Sequence, residues 1–194
     1  MKKVLGLTTI FLLLAFNFKD SLLNHTLVNI VPGSSLTISG TTNISSFSCD
    51  FDVDRIKESI PVHYEKIGRK YIFEKATLIL NNQGFDCGNK GINRDFHELL
   101  QSGEYPRILL RLKEIDTDIS YPSVLNAIVE IKIAGNKNYY KIPVIIDENK
   151  TKCVSGVLKI SLGDFNLKAP KKALGLIVVQ DSVTISFDLT LRED

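Results

Sequence analysis

An antiparallel all-β domain, built as a barrel or a sandwich, is the fold class that this sequence predicts. Eight runs alternate apolar and polar residues with a period of two, the period of a half-buried strand. Turns, not linkers, separate these runs: AGNKNYY reads as a hairpin around Gly135-Asn136 and DENKTK as the next one. The chain has 194 residues and no divider rich in Pro, Gly or Ser, which suits one domain with a sizeable core.

Taken in order, the opening MKKVLGLTTIFLLLAFNF has a basic pair, an apolar run from Val4 to about Phe16 and a polar continuation at Lys19-Asp20. That is the layout of a secretory leader, expected over residues 1–18 with cleavage between Phe16 and Asn24. A retained anchor or a buried strand is the competing reading. One domain is expected over residues 30–194.

The strand-like runs are LTISGTT, SFSCDFDVD, KYIFEKATLIL, PRILLRLK, AIVEIKIAG, YYKIPVIID, CVSGVLKISLGDFNL and DSVTISFDLTL. In the last, Val183, Ile185, Phe187, Leu189 and Leu191 face one way and Thr184, Ser186, Asp188 and Thr190 the other. Between them, NRDFHELLQSG reads as a short helix with Asn93 as its cap, Gly103 as its stop and Phe96, Leu99 and Leu100 as its apolar stripe. A helix this short survives by packing. Tyr105-Pro106 then opens the next strand in an extended conformation.

The chain carries 24 basic and 22 acidic residues, and setting aside Lys2 and Lys3 of the leader leaves 22 of each. A nucleic-acid binder would show a concentrated basic footprint, so no nucleic-acid partner is expected. Lys168, Lys171 and Lys172 gather in FNLKAPKK and read as a solvated loop.

In an exported protein the three cysteines Cys49, Cys87 and Cys153 would meet an oxidising compartment. One pair plus one leftover is the simplest count. Cys49 lies on the apolar side of its strand with Phe47 and Phe51, where it can meet Cys87 from the following turn. A Cys49–Cys87 disulfide is therefore expected, with Cys153 a lone thiol in or beside a strand.

Catalytic patterns are weak. Cys87, Asp95 and His97 suggest a thiol with a base and an orienting acid, but residues two apart on a helix point in different directions, and a bonded Cys87 is no nucleophile. His63 reads as a surface histidine, and Asp50, Asp52 and Asp54 line one solvated strand face without the glycine turn of a calcium loop. There is no GxSxG elbow and no phosphate-binding glycine pattern. No catalytic residue, metal site or cofactor is expected.

GTTNISSFSCDFDV, FDCGNKGINRDFHELLQSGEYPRILLRL, IVEIKIAGNKNYYKIPVIIDE, VSGVLKISLGDFNLKAP and VTISFDLTL follow one another between about Leu36 and Leu191. In that order and spacing they resemble the YceI-like family of exported bacterial proteins, and Cys49 with Cys87 resembles its cysteine-bearing, Bacteroidetes-type branch. The resemblance implies an extended eight-stranded antiparallel barrel of lipocalin-like architecture with a short covering helix. It implies a periplasmic or extracellular carrier that holds a long isoprenoid or fatty acyl lipid, without a stable membrane span once the leader is cleaved. Matching segments assign the apolar wall to Phe47, Phe51, Phe73, Leu78, Ile108, Leu110, Leu112, Leu158, Ile160, Ile185 and Phe187. The alternative is an envelope interaction or structural module whose interior is filled by its own side chains.

Overall fold

The computed structural model describes residues 23–117, 124–147, 152–172 and 176–194; the expected leader over residues 1–18 lies outside them. The described chain forms one all-antiparallel sheet of thirteen strands and one α-helix. The strands are β1 (Asn24–Ile30), β2 (Ser35–Thr42), β3 (Ser46–Phe51), β4 (Ile60–Ile67), β5 (Lys70–Lys75), β6 (Thr77–Asn81) and β7 (Phe85–Asp86). After helix α1 (Lys90–Leu99) come β8 (Arg107–Asp116), β9 (Val124–Ile133), β10 (Asn136–Asp147), β11 (Lys152–Ser161), β12 (Lys171–Lys172) and β13 (Ile177–Glu193).

Eight strands form a ring in the order β1-β4-β5-β8-β9-β10-β11-β13, with β13 returning to β1. The expected eight-stranded lipocalin-like β-barrel is nevertheless corrected, because this ring is not a closed barrel. A closed barrel keeps each strand between the same two neighbours, and here the two key strands change neighbour along their length. β13 pairs β2 from Val179 to Asp188 and reaches β1 only at Leu191–Glu193, through three residue pairs. β8 pairs β6 from Arg107 to Arg111 and β5 from Glu114 to Asp116. At one end β2, β3 and β7 therefore branch from the ring. There β6 and β7 are joined by a 3-10 turn at Asn82–Gly84 instead of a ladder.

Several local expectations shift for physical reasons. KYIFEKATLIL divides at Ala76, whose carbonyl accepts from the Leu112 amide, into β5 and β6. The strands β1 and β4 lack clean alternation, which hid them from a period-two reading. The helix starts earlier than expected: Asn89, not Asn93, is its cap, accepting from the Gly91 and Ile92 amides. Asn93 is used elsewhere, accepting from the Cys87 amide and donating to Asp86.

The core lies on the inner face of this sheet and under α1. Ile131 of β9 and Phe165 of the 3-10 turn after β11 have no solvent exposure. Glycines opposite aromatic rings let the sheet close over this core. Phe47 lies across Gly40 on β2, and Phe187 lies across Gly156 on β11, in each case its direct cross-strand partner. A Cβ on Gly156 would sit 2.6 Å from the Phe187 ring. Among the described residues no helix is long and apolar enough to cross a membrane.

Candidate functional site

α1 presents Phe96, Leu99 and Leu100 to the inner face of the sheet, at the i, i+3 and i+4 spacing of a single stripe. Two devices hold it there. Ahead of the helix, Cys87 is disulfide-bonded to Cys49 of β3, among the packed rings of Phe51, Phe85 and Phe96. Behind it, the buried Asn82 donates through Nδ2 to Ser102 Oγ and the Tyr105 carbonyl, both at 2.9 Å, and its backbone amide donates to the Pro106 carbonyl. Tyr105 in turn lies over Gly135 at the β9–β10 hairpin, where φ is +78°.

Between helix and sheet is a cavity of about 50 Å³. Leu36 and Ile38 of β2, Phe47 of β3, Ile108 and Leu110 of β8, and Ile131 and Ile133 of β9 form much of its wall. Ile160 of β11 and Val179, Val183 and Ile185 of β13 continue it, and the α1 stripe closes it. Each lining residue is Leu, Ile, Val or Phe, so no titratable side chain reaches the space. Outside the lining, Tyr140 stacks on Phe165 and donates to Asp164 at 2.7 Å. Burial, and then the hydrogen bond to Asp164, push the Tyr140 phenol well above its ordinary range.

Five of the eleven expected wall residues line this cavity: Phe47, Ile108, Leu110, Ile160 and Ile185. Phe51 and Leu158 are buried in the same core without reaching it, and Leu78, Leu112 and Phe187 pack against that core part-exposed. Phe73 is buried outside the main cluster, against Tyr64. The sequence reading missed Leu36 with Ile38 of β2, Ile131 with Ile133, and Val183, all on alternating apolar faces, and Val179, which a register shift in β13 separates from Val183. It also treated the α1 stripe as a cover, whereas the structure makes it part of the lining.

The remaining chemical candidates do not converge on the cavity. Cys87 has no free thiol, and Cys153 sits on β11 beside Asp188 Oδ1 at 3.3 Å and Thr190 Oγ1 at 3.5 Å. Two ionisable groups on or just after a lining strand also stay out of the cavity: Lys159 is exposed on β11, and Asp164, in the turn that follows, is the acceptor for Tyr140.

The profile of the YceI-like domain family matches residues 21–191. Among solved structures, the fold is similar to that of Burkholderia cenocepacia BcnA, with a TM-score of 0.58 and 19% identity over 84% of this chain and 99% of that one. It is similar to the same degree, TM-score 0.58, to a polyisoprenoid binding domain from Saccharophagus degradans implicated in plant cell wall breakdown, with 13% identity over 89% of this chain and 99% of that one. Comparison with curated protein sequences gives no match.

Proposed function

Because the chain belongs to the YceI-like domain family, we propose that it is an exported, non-enzymatic carrier or sequestering protein for an elongated apolar ligand, an isoprenoid or fatty acyl chain. The observation that carries this reading is the cavity under α1, whose lining is apolar throughout. Each methylene moved from water into such surroundings contributes roughly 0.8 kcal/mol. A polar or charged substrate would find no partner there and would leave its hydrogen bonds behind. The relative described as a polyisoprenoid binding domain supports the same ligand class. Residues 1–18 serve as the export leader in this reading, and grouping the chain with cysteine-bearing relatives of Bacteroidetes type is part of the same proposal, with the Cys49–Cys87 bond as its support.

Ligand uptake requires movement. Pockets for small-molecule ligands measure roughly 300–1,000 Å³, against the 50 Å³ between α1 and the sheet. α1 is the element that yields, because a helix of ten residues has little stability of its own. Its stripe would lift from the sheet, and the ligand would take the place of Phe96, Leu99 and Leu100 against the wall.

The small volume also favours a second reading, an envelope interaction module whose interior stays filled by side chains. Native mass spectrometry of the exported protein from its own kind of host, with organic extraction of whatever is released, separates the two. A stoichiometric long-chain lipid is the expected result. A bare polypeptide mass that persists after incubation with isoprenoid and fatty acid candidates would reject the carrier and favour the module.

A further inference from the structure

We propose that His25 and His63 form a two-histidine site for a late first-row divalent ion, Cu²⁺ ahead of Ni²⁺ or Zn²⁺. The two residues are 38 positions apart in sequence but directly opposite in the β1–β4 ladder. Their ring centroids lie 4.3 Å apart with an interplanar angle of 75°. His25 is exposed and His63 half-buried, and among the described residues neither ring takes part in a hydrogen bond or ion pair.

The spacing fits chelation. Bonds of roughly 2.0–2.1 Å from an ion to each ring nitrogen put each centroid about 3.2 Å from the ion. Centroids 4.3 Å apart then subtend roughly 85°, the cis angle of the tetragonal N,O sites that Cu²⁺ prefers. The rings now meet edge to face, so both nitrogens turn toward one point by rotation about χ2, a soft torsion in histidine. No group of three His, Cys, Asp or Glu side chains assembles among the described residues, so water or a small anion completes the coordination. Lys75 pairs with His63 from β5 and opposes the added charge, whereas Glu65, two residues further along β4, favours it.

The position gives the ion a structural consequence. β1 completes the ring, holding β4 through five residue pairs and β13 through three. An ion bound by His25 and His63 fastens β1 to β4 and, by binding the folded form alone, stabilises it. Neither histidine lines the cavity under α1, so the site is independent of the carrier reading.

The test is titration of the purified protein with CuCl₂, followed by calorimetry and electron paramagnetic resonance, in a Cys153→Ser background that removes the thiol as a competing ligand. One Cu²⁺ per chain is expected, with hyperfine structure from two imidazole nitrogens. His25→Ala and His63→Ala should each weaken binding at least about tenfold, which equals ~1.4 kcal/mol. Copper should raise the melting temperature of the parent and of neither variant. His63→Gln serves where the alanine variant fails to fold. Undiminished binding in a folded variant of either histidine overturns the site; a copper site at the free amino terminus would show itself in this way, by surviving replacement of His63.

Discussion

At the scale of the residue, glycine–aromatic pairs and one carboxylate show how side chains set the geometry around the cavity. Gly156→Ala drives a methyl group into the Phe187 ring and toward the Pro143 carbonyl, 3.1 Å away. The expected cost is about 1–3 kcal/mol in chemical denaturation. A Gly156→Ala/Phe187→Ala double mutant should recover part of it, as a coupling energy between the two positions. Asp86 lies ahead of α1, and the hydrogen bond from Asn93, then that from the Gly88 amide, hold its carboxyl below the usual carboxylate range. A depressed folded pKa contributes stability above the unfolded pKa, and that contribution is lost as pH falls through the folded value. The parent should therefore lose stability on acidification below about pH 4 more steeply than Asp86→Asn, as read from denaturation midpoints across that range. Inward-facing positions on alternating strands were legible at this scale, since Ile108 with Leu110 and Ile160 with Ile185 follow from period two. Phe73 misled because alternation shows which face a residue takes, not which part of a long interior it reaches.

Among the elements, α1 depends on its attachments. The Cys49–Cys87 bond closes a loop with a sequence separation of 38, for which chain entropy predicts about 4 kcal/mol. Replacing both cysteines with serine should lower stability by roughly 2–4 kcal/mol, measured as a shift in the denaturant midpoint at unchanged slope. Asn89→Ala removes the cap that serves the Gly91 and Ile92 amides and should cost about 1 kcal/mol. It should also speed amide exchange in α1 before the sheet is affected. The disulfide was legible because Cys49 sits on the apolar side of a recognisable strand. The cap was not, because Asn89 and Asn93 both suit the role, and Asn93 is taken by the Cys87 amide and Asp86.

For the whole molecule, ladder length sets the order in which the sheet opens. The β9–β10 and β11–β13 pairings each run through ten residue pairs, whereas β1 closes on β13 through three. Hydrogen exchange should be slowest in those four strands and faster where β1 meets β13; equal protection there would show that the closure is as firm as the central ladders. The all-β class, most of the strands, the short helix, the cysteine pairing and the apolar character of the inner face were all legible in the order of residues along the chain. All of these follow from local period, turn chemistry and residue type. Tertiary packing alone settles that the ring is not a closed barrel, that the α1 stripe helps line an apolar cavity against the sheet, and that His25 meets His63. Each depends on which strand lies beside which, and at what point β8 and β13 exchange one neighbour for another. That choice is made by long-range pairing and packing, and a period of two is the same whichever neighbour a strand takes.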